Sequence, residues 1–249
     1  MRYRPACACR MFSVCGRFVV NLSGYIFGSR RYRCAFTLIE LLVVIAVIAL
    51  LIGIMLPALS SSKNRARALV CQTRLRQLAQ FTAIYNNDFN DQMPRSLHSA
   101  LTYHFKPWGY AFYSYVYGRP FVSEDDSWDQ LFTGTYRCPF DDRDGDVYSY
   151  GYNVYYDLTK QETGGRTWRR YTDIPVPSAT ILFADLGWGR DHMMAHFWIQ
   201  FDAPPEVAVN RHKPGEAYAF LDGHVKGLRF HETFDIDRQI DDWNPATAR

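Results

Sequence analysis

Along residues 36–56 polar and apolar positions do not alternate at all. The run FTLIELLVVIAVIALLIGIM, Phe36 to Met55, holds a single charged residue, Glu40, and from Leu41 to Leu56 there is neither charge nor hydroxyl. Length and composition predict a membrane-spanning helix over about 36–58. Beyond Pro57 the pattern becomes a helical period. Leu75, Leu78, Ala79, Thr82 and Tyr85 recur at three and four residues, with Leu69 and Val70 one or two turns earlier and Arg and Gln on the other side. One helix is expected from Phe36 to about Asn87, on the order of 75 Å long at the helical rise. Its outer part, about 59–87, forms an amphipathic stalk. Pro57 should kink or loosen it, because its ring removes a backbone donor and clashes with the preceding turn. Asn86-Asn87-Asp88 and Pro94 mark its end.

From about Met93 to Arg249 the pattern shortens. Tyr, Trp and Phe are dense, and Gly and Pro interrupt the chain every ten or so residues. Short helices are expected at Ser96–Phe105 and Glu124–Phe132, the second capped by Ser123 or Asp125. Strands are expected at Tyr148–Tyr156, Thr180–Ala184, Ala217–Leu221 and His224–Phe230. Asp222-Gly223 reads as a hairpin turn with positive φ at both central positions. The fold class is α+β: an antiparallel sheet packed on the outer half of the long helix. The organisation is a basic segment 1–35, a helical segment 36–92 and a globular segment 93–249.

Charge sharpens this division. The chain carries 28 Lys and Arg against 25 Asp and Glu. Seven of the Arg lie in 1–35, which has no acid, so the remainder is about −4. The basicity belongs to the first segment, and the case for a nucleic-acid partner falls with it.

Glu40 is the chemically informative residue. A carboxylate within a membrane helix costs a few kcal/mol, less toward the end, and calls for a cationic partner or a role. Arg30, Arg31 and Arg33 precede Cys34-Ala35, and Phe36 opens the apolar run. Cleavage between Ala35 and Phe36 would set a new α-amine beside that carboxylate.

This order of basic leader, small residue, FTLIE and apolar helix resembles type IV prepilins and the pseudopilins of type II secretion, over about Arg30 to Pro57. The resemblance implies that a prepilin peptidase cuts before Phe36 and methylates the new amine. It also implies that Glu40 pairs with the terminal amine of a neighbouring subunit. Ala35 stands where that family usually has Gly, and it is small enough for the same cleavage. Lys63, Arg65, Arg67, Arg74 and Arg76 follow the helix, so both flanks are basic and charge leaves orientation open. The resemblance places the leader in the cytoplasm and everything after Pro57 outside. Later segments resemble the branch of prepilin-like proteins whose tail carries His, nine residues, then Asp-Gly: here His212, KPGEAYAFL, Asp222-Gly223. Cys71 with Leu75-Arg76-Gln77-Leu78, Cys138-Pro139, Ser149 to Asn153 and Pro177 to Asp185 belong to the same likeness.

Removing the leader and Cys34 leaves Cys71 and Cys138, and outside the cytoplasm a bridge between them is favoured over two buried thiols. The acidic stretch DDRDGD offers Asp142, Asp144 and Asp146 to calcium, but its spacing is not that of an EF-hand and Arg143 intervenes. A solvated acidic turn is the expected reading, and no resident metal or cofactor is expected. His192 and His196 have the spacing of zinc-peptidase ligands on a helix, with Met193 where the general base would stand. Asp185 and Asp191 are the nearby acids. His212 is read as pinning its loop to the Asp222-Gly223-His224 hairpin. No nucleophile has a placed base, so no enzyme is expected. The function read here is a structural subunit of a pseudopilus or pilus-like filament. Its implied partners are the prepilin peptidase, other subunits, the inner-membrane assembly platform and lipid. The alternative is a membrane-tethered module that binds glycans or macromolecules through an aromatic surface.

Overall fold

Helix α1 runs from Leu38 to Asp88 with Pro57 inside it. The computed structural model describes residues 37–98, 106–122, 127–213 and 215–249. The chain parts into two units, Met1–Gly53 and Ile54–Arg249. Gly53 is the residue whose carbonyl the Pro57 ring leaves without its helical donor. After Asp88, Asn90 and Asp91 take positive φ (53° and 68°) and the Asp91 amide donates back to the Asn86 carbonyl at 2.7 Å. Asn and Asp tolerate that geometry better than other non-glycine residues, so the helix stops where the sequence places them.

In the Ile54–Arg249 unit, α1 buries Cys71, Leu75, Leu78, Ala79, Thr82, Tyr85 and Asn86. This is the expected stripe with one correction. Leu69 and Val70 are exposed, 63% and 41%, and Cys71 begins the buried face. At 3.6 residues per turn Leu69 lies roughly 160° round from Cys71, on the far side.

The sheet has the order β3-β1-β2-β4-β5, formed by β1 Tyr150–Asn153, β2 Ile181–Asp185, β3 His192–Met193, β4 Glu216–Phe220 and β5 Val225–Leu228. Three pairings are antiparallel, but β3 runs parallel to β1, so the sheet is mixed rather than wholly antiparallel. After β2 the chain reverses over Leu186–Asp191 and lands on the far side of β1. A separate ribbon pairs β6 Phe234–Asp235 with β7 Ile240–Asp241. Every residue of β1, β2 and β4 is buried, as expected of strands covered on both faces.

On the face carrying Tyr150, Tyr152, Phe183 and Asp185 lie α1 and a second helix, α2, Trp108–Tyr117. Sequence reading missed α2, because WGYAFYSYVY has the aromatic composition of a strand. Trp108, Gly109, Phe112 and Tyr113 are its buried residues, a helical spacing. Trp108 packs on Phe183 with centroids 5.0 Å apart. Gly109 admits the Tyr148 hydroxyl into the space a Cβ would fill. The expected helix at Ser96–Phe105 lies mostly outside the described residues. That at Glu124–Phe132 is helical over Ser127–Gln130, with Ser123 and Asp125 outside them. On the opposite sheet face the Asn153 amide donates to the carbonyls of Ile181 and Trp243 at 2.8 and 2.7 Å, closing the tail onto the core.

Candidate functional site

At the start of α1, Thr37 and Glu40 close on each other. The Thr37 amide and hydroxyl donate to Glu40 Oε2 at 2.9 and 2.8 Å, and the Glu40 amide donates to Thr37 Oγ1 at 3.3 Å. This reciprocal capping box uses the carboxylate on first-turn groups that otherwise lack partners. The apolar residues that follow are exposed: Leu38 is 88%, Leu50 65% and Leu59 67% accessible. The helix is long and apolar enough to cross a membrane. Such a surface far exceeds what a soluble monomer leaves uncovered, so it suits lipid or other apolar helices. The cut between Ala35 and Phe36, with the leader, lies outside the described residues.

In the Ile54–Arg249 unit Cys71 and Cys138 do come together, but as free thiols. The expected bridge is not formed here, and each sulfur has other partners. The Cys71 thiol donates to Asp185 Oδ1 at 3.2 Å and accepts from the Tyr150 hydroxyl at 3.2 Å. Cys138 Sγ lies 3.4 Å from His212 Nε2 and accepts from the Phe140 amide at 3.5 Å. His212 Nε2 is also 3.1 Å from Asp185 Oδ2. Among the described residues, this is the one set of three or more such side chains whose ligand atoms converge, all within 4.8 Å of one another. All four residues are buried: Cys71 and Asp185 at 0%, Cys138 at 1% and His212 at 5%.

The electrostatics split the two thiols. Hydrogen bonding from Cys71 lowers Cys138 to about 6 against the opposing effect of burial, while burial raises Cys71. Burial disfavours a charge on His212, yet its bonds to Asp185 and Cys138 raise it to about 9. Beside the cluster, Arg211 lies 3.9 Å from Asp185 Oδ1 and 3.5 Å from Asp141 Oδ1. Arg143 pairs with Asp141 at 2.6 Å. Burial works against ionising Asp141, but Arg143, Ser149 and Arg211 outweigh it and hold the carboxyl below its usual range.

The remaining predicted residues fall apart. Asp142, Asp144 and Asp146 are exposed, and Asp146 accepts from the Trp128 indole at 2.8 Å. His192 is in β3 and His196 in a separate short helix, so they do not share a helical face. His192 meets Asp191 at 2.7 Å, and both ring nitrogens of His196 are buried without partners. Burial, then repulsion from His98, lowers His196 to about 4. His212 does not pin its loop to the hairpin: its partners are Cys138 and Asp185, and Asp222 instead bonds His224 at 2.6 Å. The hairpin also differs from expectation. The Gly223 amide donates to the Phe220 carbonyl, and φ is positive only at Gly223 (92°), so the loop has three residues and a glycine bulge.

Sequence reasoning had singled out Cys71, Cys138 and His212, and had weighed Asp185 only beside His192. Their separations follow no ligand spacing, so only the folded chain joins them.

The prokaryotic N-terminal methylation motif matches residues 30–56. A type IV wide pilus major component, PilA4, of Thermus thermophilus is 42% identical over 60 residues, 24% of this chain and 46% of that protein. The chain thus spans less than half the length of the curated relative it matches. No solved structure matches it significantly. The long apolar helix and this motif fit a single-pass membrane protein. The methylation motif over residues 30–56, the long helix packed on a mixed sheet and the similarity to a type IV pilus component are together consistent with a type IV prepilin-like protein.

Proposed function

We propose that this protein is a filament subunit, cut between Ala35 and Phe36 and methylated on Phe36 by a prepilin peptidase. It packs through α1 into a type IV pilus-like filament or a type II secretion pseudopilus. The leader faces the cytoplasm and the chain after Pro57 lies beyond the membrane, while the assembly platform adds the protein to other subunits. The observation that carries this reading is the methylation motif over 30–56 with its lone acid, Glu40. The exposed apolar surface of Leu38–Leu59 supports it, since lateral packing of such helices would cover that surface.

On assembly the Glu40 carboxylate, which caps its own helix through Thr37, is shared with the amine of a neighbouring subunit. An ion pair of this kind is stronger away from water and sets the stagger between subunits. Mass spectrometry of the mature protein is expected to find a methylated Phe36 at the N-terminus. Glu40→Val is expected to insert and be cleaved normally yet stay out of filaments. An uncut chain, or filaments that take up the variant at wild-type level, refutes the proposal.

A further inference from the structure

We propose that Cys71, Cys138, Asp185 and His212 form a closed, four-coordinate zinc site inside the Ile54–Arg249 unit. Two sulfurs, an imidazole nitrogen and a carboxylate oxygen are a donor set that suits Zn²⁺. Zinc–ligand bonds of about 2.0–2.3 Å at tetrahedral angles place neighbouring donors roughly 3.3–3.8 Å apart. Here His212 Nε2 stands 3.1 Å from Asp185 Oδ2, Cys71 Sγ 3.2 Å from Asp185 Oδ1 and Cys138 Sγ 3.4 Å from His212 Nε2. One donor atom from each of the four residues lies within 4.8 Å of the others, so a small inward adjustment would complete the tetrahedron. Each comes from a different part of the chain: α1, the turn after Tyr136, the end of β2 and the loop before β4. Burial of all four leaves no open position for substrate, which makes the site structural rather than catalytic.

Two other uses of these residues fit less well. A disulfide would account for the sulfurs but leave Asp185 and His212 turned onto the same point for no purpose. A Cys–His–Asp relay needs the acid on one ring nitrogen and the sulfur on the other. Here both face His212 Nε2, while Nδ1 is buried without a partner. Convergence on one nitrogen is the geometry of ligands around a shared centre.

Charge and surroundings agree. Two thiolates and a carboxylate bring three negative charges, which Zn²⁺ and the Arg211 guanidinium, 3.9 Å from Asp185, would balance. Donors also reach three of the ligands: the Tyr150 hydroxyl to Cys71, the Phe140 amide to Cys138 and the Ala217 amide to Asp185 Oδ2 at 3.2 Å. Such outer partners orient metal ligands and offset their charge. The metal would tie α1 to β2 and to the loops carrying Cys138 and His212.

The inference is independent of the filament reading, and its test uses the full chain in detergent with reductant. Elemental analysis is expected to find one zinc per chain, and Cys71→Ser or His212→Ala to retain less than about a tenth of it. Because a variant could fail to fold, Co²⁺ is also titrated into metal-stripped wild-type protein. Thiolate-to-cobalt charge transfer and intense tetrahedral visible bands, both abolished by Zn²⁺, are expected. Absence of retained zinc together with a featureless cobalt titration overturns the proposal. So does zinc that folded Cys71→Ser and His212→Ala proteins keep at wild-type level.

Discussion

Replacing Leu78 by Ala, and separately Leu69 by Ala, asks the same chemical question nine residues apart on one helix. Leu78 is fully buried in the core, whereas Leu69 is 63% exposed. Truncating a buried leucine removes its transfer energy and leaves a cavity that close-packed neighbours fill only in part, a loss of about 2–5 kcal/mol. Truncating the exposed one should stay within about 0.5 kcal/mol. In a unit of this size each kcal/mol moves the melting temperature by about 2–4 °C. Leu78→Ala should therefore melt roughly 6–12 °C lower if the loss is near 3 kcal/mol, and Leu69→Ala within about 2 °C of wild type. Near-ultraviolet circular dichroism of the detergent-solubilised full chain reads the globular unit, because its signal comes from the aromatic core rather than from the exposed apolar part of α1. Equal losses at the two sites would mean that the buried face of α1 is rotated from the one described.

Gly215→Ala should cost about 1–3 kcal/mol by overpacking, since its Cβ would stand 2.6 Å from the Leu228 carbonyl oxygen of the paired strand. Gly227→Ala, with nothing nearer than 3.8 Å, is the control, and urea unfolding midpoints should separate the two. Stability should also fall on mild acidification. His196 takes up its proton near 6.5 when unfolded but only near 4 when folded. Its contribution is therefore whole above 6.5 and is lost as pH falls toward 4. His196→Gln should flatten that part of the profile, and an unchanged slope would refute the assignment.

Helix α1 was legible because its structure follows from local composition. Twenty nearly uncharged apolar residues have one stable form in lipid, a helix with its backbone bonds satisfied internally. The Asn and Asp residues that end α1 act through their own backbone preferences. Four strands, β1, β2, β4 and β5, were found to within about three residues for a similar reason: β-branched and aromatic runs bounded by Gly, Pro and Asp are themselves the signal. The two-residue strands β3, β6 and β7 are too short to leave one. The register of α1 was legible only where its apolar positions were unambiguous. Leu69 and Val70 looked like members of the stripe, and contact with the sheet chose Cys71 instead.

Helix α2 was hidden because its aromatic residues favour a strand locally. Only packing of Trp108 on Phe183, and the room that Gly109 leaves for Tyr148, make the helix the better solution. The sequence by itself determined the long apolar helix, its single acid and the α+β class, since each rests on neighbours along the chain. The meeting of Cys71, Cys138, Asp185 and His212 was decided by tertiary structure alone. Residues tens of positions apart carry no local trace of one another until helix, strand and loops pack and close the space between them.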